Sequence, residues 1–134
     1  MKFLVMVTLN GDSIQKYEEG YVGEPALFEE MNKYNVALME AGVMVDGAGL
    51  RPTSKGTKVH FEGGGKVAVV DGPWSETKEA FGGYWVFECA SHEECVEWVK
   101  KAPMEPGDIL VIREFQEMTD FPQEVQDMFA GQAG

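Results

Sequence analysis

Residues 71–88 read DGPWSETKEAFGGYWVFE, and this stretch joins the two halves of the predicted fold. An apolar strand over residues 67–70 is expected to end at the Asp-Gly-Pro turn, where the glycine relaxes φ and the proline lacks an N–H. Residues 75–79 are polar and predict one or two helical turns. The Gly-Gly pair is expected to end those turns before a buried strand over residues 84–89.

Outward from this stretch, hydrophobic patterns predict the other elements. Residues 2–9 and 109–115 are apolar in both phases, which is typical of strands covered on both faces. Residues 43–50 predict another strand, and residues 57–70 predict a hairpin around three glycines. The helix signals are Pro25 at a first turn, an apolar stripe at i, i+4, i+7 and i+11 up to Gly42, a capping box beginning at Ser91, and Pro122 before the tail.

The order β–α–β–(hairpin)–β–α–β predicts an α+β fold with a ferredoxin-like antiparallel sheet. Two helices cover only one face of such a sheet, yet two of its strands are apolar in both phases. We therefore expect a homodimer in which the second faces pack together. The alternative is a monomer whose hairpin and tail fold over that face.

The composition of the chain makes some classes of function less expected than others. The chain has 134 residues, a net charge of −12 and 44% apolar residues, as expected for one globular domain. The negative charge opposes binding to nucleic acid and to anionic membrane surfaces. No apolar run reaches the ~20 residues of a membrane span, and residues 1–8 are too short for a signal peptide, so we expect a cytoplasmic protein. Cys89 and Cys95 lack Cys-x-x-Cys spacing and are interpreted as reduced and buried.

The stretch that opens at Asp71 also carries the densest mixture of acid, hydroxyl, amine and aromatic groups. Asp71 and Glu76 are the candidate general bases, and Lys78 is the candidate partner of an anionic or enolate oxygen. The candidate substrate-binding residues are Asp46, Arg51, Trp74, Ser75, Thr77 and Tyr84. In the structural alternative, these acids and hydroxyls only cap the turn and a short helix. No histidine pair has metal-ligand spacing, so neither a metal nor another cofactor is predicted.

Several motifs together resemble the YCII-related family, and specifically its branch named for a DGPF motif. They are EAGV at residues 40–43, DG at 46–47, GLRP at 49–52, DGPWSETKE at 71–79, GGY at 82–84 and EW at 97–98. The resemblance covers residues 1–118, which we predict to form the domain, and leaves residues 119–134 as a tail with a short amphipathic helix. It implies a ferredoxin-like dimer of the dimeric α/β-barrel kind.

The resemblance implies no established activity for most members of the family. Some members are described as transcription-initiation factors because of their gene neighbourhood. Other relatives use a His–Asp pair, with the histidine early in the first helix and the aspartate near the end of the second. Here residues 25–28 hold no histidine and residues 100–103 hold no aspartate, so that mechanism does not carry over.

Two hypotheses follow for the function. In the first, the homodimer binds a compact, partly aromatic or carbonyl-bearing metabolite in a cleft lined by residues 71–84, with proton transfer by a carboxylate and without a cofactor. In the second, the chain is a non-catalytic interaction or regulatory module linked to transcription. The absent His–Asp pair and the amphipathic tail favour the second hypothesis.

Overall fold

The computed structural model describes residues 1–10, 12–20, 23–74 and 79–130, with the backbone alone described at residues 10, 12, 79 and 80. A four-stranded sheet, a separate two-stranded ribbon and several helices make up this part of the chain. In chain order the elements are β1 (Lys2–Asn10), α1 (Asp12–Glu18), α2 (Pro25–Glu40), β2 (Met44–Gly49), β3 (Thr57–Gly63), β4 (Lys66–Asp71), β5 (Glu79–Glu88), α3 (His92–Val99), β6 (Ile109–Glu114) and α4 (Gln123–Met128), with 3₁₀ turns at Thr53–Lys55 and Met118–Asp120.

The main sheet has the strand order β2–β5–β1–β6, and every neighbouring pair is antiparallel. The crossovers through α2 and α3 give the ferredoxin-like arrangement, which confirms the predicted fold class. β3 and β4 pair only with each other and form a ribbon outside this sheet. Among the described helices, none is long and apolar enough to cross a membrane.

The core lies between one face of the sheet and helices α2 and α3. The strands contribute Phe3, Val5, Trp85 and Phe87, and the helices contribute Tyr34, Leu38 and Cys95, all of them buried. The Tyr34 hydroxyl donates to the carbonyl of Trp98 at 2.7 Å, and the Trp85 indole donates to the Asn35 side chain at 2.9 Å. Both aromatic side chains therefore bury their rings while their polar atoms stay hydrogen-bonded.

The helix ends follow the predicted signals. α2 begins at Pro25, and Gly42 lies just beyond its end with a φ of 71°, a conformation that favours glycine. At the start of α3, the Ser91 hydroxyl accepts from the N–H of Glu94 at 3.1 Å. The Glu94 carboxylate accepts in return from the N–H of Ala90. The capping box predicted the N–H of Ser91, one residue later, as this donor.

The predicted break at Gly82-Gly83 is wrong. β5 begins at Glu79, not at Tyr84, and runs through both glycines. Its register with β1 passes from Val7 opposite Gly83 to Thr8 opposite Phe81, so Gly82 is the extra residue of a β-bulge. Glycine is common at such bulges because no side chain has to be placed on the bent strand.

Two other features were not predicted. Residues 12–18, for which no helix was predicted, form helix α1. Strand β3, although apolar and polar residues alternate along it, is exposed over its whole length; Phe61 is 83% exposed and its neighbour Val67 is 52% exposed. The ribbon's apolar side therefore has no cover within the described part of the chain.

The second face of the main sheet carries apolar residues, as the two-phase pattern predicted. Leu4 and Met6 of β1 lie beside Val86 and Tyr84 of β5, and Val111 of β6 lies on the other side of Met6. These side chains are only half-buried. We refer to this surface as the open face.

Candidate functional site

A cavity of about 730 Å³ lies where α1, the loop after β2, the start of β3 and the end of the β3–β4 ribbon meet. We call it the tryptophan cavity, after Trp74 in its wall. Its lining residues are Tyr17, Leu50, Arg51, Pro52, Thr53, Lys55, Gly56, Lys58, Trp74 and Phe81. Two of the predicted substrate-binding residues, Arg51 and Trp74, are brought together here although 23 positions separate them in the chain.

Helix α1 holds the loop that forms one side of the cavity. The Tyr17 hydroxyl lies 2.8 Å from the carbonyl oxygen of Leu50 and 2.7 Å from that of Arg51, and shares its proton between them. The Glu18 carboxylate accepts from both the N–H and the hydroxyl of Thr53. Burial, followed by the charge of Glu18, raises the pKa of Tyr17, so its hydroxyl remains a donor at neutral pH.

The Asp-Gly-Pro turn packs against the same loop and places Trp74 in the cavity wall. The N–H of Gly72 donates to the carbonyl of Gly56 at 3.0 Å, and a Cβ on Gly72 would overlap the carbonyl oxygen of Thr53. Gly72 is therefore needed for close backbone approach, and not for the φ freedom expected from the sequence, since its φ lies outside the left-handed region. Trp74 follows this turn and packs over Gly56, where a Cβ would lie 3.0 Å from the ring.

Three cations line the tryptophan cavity: Arg51, Lys55 and Lys58. The Lys58 ammonium lies 4.6 Å from the centroid of the Trp74 ring, within the range of a cation–π interaction. The remaining wall is largely apolar, from Leu50, Pro52 and Phe81. No Asp or Glu side chain of the described residues is part of it.

Asp46 and Tyr84 lie elsewhere, on the open face of the sheet. The Tyr84 hydroxyl donates to Asp46 at 3.2 Å, and the other carboxylate oxygen of Asp46 accepts from the N–H of Gly47 at 2.8 Å. The charge of Asp46 and this hydrogen bond raise the pKa of Tyr84. Asp46 makes no ion pair with Arg51.

Asp71 is exposed and accepts from the Thr57 hydroxyl at 2.9 Å, beside the tryptophan cavity but not in its wall. Ser75, Glu76, Thr77 and Lys78 lie outside the described residues. The catalytic roles assigned to Asp71, Glu76 and Lys78 therefore stay predictions.

A second cavity of about 330 Å³ lies between the sheet, α1 and the start of α2. Its wall is mostly apolar, with Leu27, Met31 and Met104, and it shares Tyr17 with the tryptophan cavity. Asp108 also lines it. One Asp108 oxygen accepts from the N–H of Glu105 at 3.3 Å, and the other is buried without a partner.

No three metal-ligating side chains come together within the part of the chain that the structure describes. Cys89 and Cys95 are free and buried in the core. Burial raises the pKa of both thiols, that of Cys95 to about 12, with further increases from Glu94 for Cys89 and from Cys89 for Cys95. Both are therefore protonated, unreactive thiols at neutral pH.

The sequence did not identify Tyr17, Lys55 or Lys58 as site residues. Tyr17 belongs to the unpredicted helix α1, whose only local signals are Asp12 and Ser13 ahead of Ile14 and Tyr17 at i, i+3 spacing. The two lysines lie in a polar loop and on the polar phase of a strand. Such lysines resemble ordinary solvated residues until the fold places Trp74 beside them.

The chain matches the YCII-related domain family over residues 1–119. It belongs to the YCII-related family. Over 62 residues, 46% of its length, this YCII-related chain is 34% identical to an uncharacterised protein of Rhizobium meliloti (strain 1021). The chain spans about half the length of that curated relative, 49%. The family prediction is confirmed, and membership of the DGPF branch stays a prediction.

Proposed function

We propose that this YCII-related protein binds a small, partly aromatic metabolite in the tryptophan cavity. The observation that carries the proposal is the placement of Trp74 and Arg51 in one wall of a 730 Å³ space. Small-molecule sites typically occupy ~300–1,000 Å³ and combine apolar walls with a few polar groups. Trp74 supplies a flat surface on which a planar ligand can stack.

The way the cavity is built supports binding over a purely structural role for the motif. In the structural alternative, the polar groups of the turn satisfy only one another. Asp71 fits that alternative, because it bonds to Thr57. Arg51 does not fit it, since its side chain has no carboxylate partner among the described residues and faces the same space as Trp74.

A more specific hypothesis for the same site is that it also catalyses proton transfer. None of the carboxylate side chains that the structure describes lines the tryptophan cavity, and the proposed general bases stay those named from the sequence, Asp71 beside the cavity and Glu76. Lys78 would then hold the developing oxyanion. This chemistry needs no cofactor, and we propose it only as an addition to binding.

We also propose that the protein is a homodimer formed through the open face. The chain exposes 9494 Å² of surface, whereas a compact monomer of this mass exposes ~7,000 Å². Leu4, Met6, Val86 and Val111 on the open face give a second sheet an apolar surface to cover. A cytoplasmic location fits the two free, protonated thiols.

The binding proposal is tested with naphthalene-1-acetamide, a neutral planar probe, titrated into the ¹⁵N-labelled full chain. We expect millimolar or tighter binding that shifts the Trp74 indole N–H resonance. Trp74→Leu should weaken binding about 5- to 150-fold, which corresponds to the ~1–3 kcal/mol of a stacked aromatic ring.

Phe61→Leu is the matched control, because it also replaces an exposed aromatic of the same ribbon by leucine but lies outside the cavity wall. It should leave binding unchanged. Equal binding by Trp74→Leu and the unmodified chain would contradict the proposed function.

A further inference from the structure

We infer that the ligand of the tryptophan cavity is a small organic anion, a planar molecule carrying a carboxylate or phosphate group; this rests on the proposed function. The chain holds 23 acidic and only 11 basic residues. Three of those basic residues nevertheless line the cavity wall, and none of the carboxylate side chains that the structure describes does. The described part of the wall is therefore cationic in a chain whose net charge is negative.

Among the side chains that the structure describes, no carboxylate makes a salt bridge with Arg51, Lys55 or Lys58. Two described carboxylates lie nearby and bond to threonines: Glu18 accepts from Thr53, and Asp71 accepts from Thr57. A hydrogen bond from a threonine does not remove a carboxylate's charge, but neither carboxylate is part of the cavity wall. Three cations that share one wall raise the local concentration of anions.

The chemistry of the three cations distinguishes their contributions. The Arg51 guanidinium is planar and can bind both oxygens of a carboxylate or phosphate at once. Lys58 lies over the Trp74 ring, so a ligand stacked on the tryptophan has a positive charge close to its plane. Lys55, on the same loop as Arg51, contributes a third point charge.

The net negative charge of the chain favours a small anion over a polyanion. A polyanion such as nucleic acid would meet the remaining surface of a chain with a net charge of −12 and be repelled by it. A small anion reaches the cavity and experiences mainly the nearby cations, because charges beyond ~8 Å are screened at physiological salt. The apolar residues Leu50, Pro52 and Phe81 leave room for a hydrocarbon or aromatic body beside the charged group.

The test compares three probes that share one ring system: naphthalene-1-acetate, naphthalene-1-acetamide and 1-naphthyl phosphate. Dissociation constants are measured by NMR titration of the full chain in 20 mM and 500 mM NaCl. We expect the acetate to bind at least tenfold more tightly than the amide at low salt, and the difference to shrink at high salt. The phosphate arm shows which of the two anionic groups the site prefers.

Variants assign the preference to the cavity cations. Arg51→Gln should weaken acetate binding about tenfold and Lys58→Gln about two- to fivefold, while binding of the amide stays within twofold. Lys66→Gln removes the same charge from an exposed position of the same ribbon outside the cavity wall. It should change acetate binding by less than twofold.

The outcomes separate this inference from the proposed function. Equal binding of amide and both anions, sensitive to Trp74→Leu, would overturn the anion inference and leave metabolite binding supported. An acetate preference that Lys66→Gln reduces as much as Lys58→Gln would also overturn it, because general surface charge would then be the cause. If none of the three probes binds, the proposed function itself is overturned.

Discussion

Replacing Gly72 by alanine should destabilise the protein and disrupt the tryptophan cavity. A Cβ at this position would overlap the carbonyl oxygen of Thr53, which belongs to backbone and not to a flexible side chain. The Thr53–Lys55 turn or the Asp-Gly-Pro turn must then move, and the hydrogen bond from Gly72 to Gly56 at 3.0 Å is stretched or lost.

The magnitude follows from three contributions. Forcing an additional methyl group into a packed position costs ~1–3 kcal/mol, and losing the Gly72–Gly56 hydrogen bond adds ~1 kcal/mol. Alanine also restricts the unfolded chain, which offsets ~0.4–1 kcal/mol. We therefore expect the free energy of unfolding to fall by about 2–3 kcal/mol, which moves a urea midpoint by ~1–2 M.

Urea unfolding followed by circular dichroism measures this change, and Gly49→Ala is the matched control. Gly49 is also a glycine without left-handed φ, but a Cβ there has no heavy atom within 4 Å. Its midpoint should stay the same or rise slightly. If Gly72→Ala and Gly49→Ala unfold at the same urea concentration, the reasoning about close backbone approach at Gly72 is wrong.

Two further predictions concern assembly and pH. Sedimentation of the unmodified chain should give twice the 14.8 kDa of one chain, and Val86→Glu on the open face should give a single chain; a single-chain mass without any substitution would refute the homodimer. The pKa of the Cys95 thiol is raised from 9.0 to about 12 in the folded chain. Below pH 9 the thiol is protonated in both the folded and the unfolded chain, and above pH 9 the unfolded chain loses the proton first. Stability should therefore fall as pH rises from 9 towards 12, and Cys95→Ala should reduce the loss between pH 8 and pH 10.5 by about 1–2 kcal/mol. Equal losses in both proteins would exclude Cys95 as the cause.

Capping and turn residues correctly predicted where helices α2 and α3 lie. Pro25 and Gly42 bracket α2, and Ser91 caps α3. These predictions succeeded because a cap or a left-handed turn depends on residues adjacent in the chain. The break predicted at Gly82-Gly83 was wrong because glycine is common both in turns and in β-bulges, and only the pairing with β1 distinguishes the two.

The candidate site was predicted only in part for a related reason. Trp74 and Arg51 were named from the sequence and do meet, whereas Asp46 and Tyr84, named with them, lie on the open face. Strand alternation assigns a residue to one of two faces, but it does not say which loops converge at the end of a sheet. Tyr17 was missed because a helix of seven residues carries too little periodic signal.

By itself, the sequence determined the order of the strands and of the helices other than α1, the apolar character of both faces of β1, and the family. These properties depend on periodicity and caps, which act over a few neighbouring residues. The tertiary structure alone decided that Tyr17, Arg51, Lys58 and Trp74 share one cavity, and that cations gather in its wall in an acidic chain. The physical reason is that long-range hydrogen bonds and a side-chain-free contact at Gly72 bring these residues together, and neither leaves a periodic pattern in the sequence.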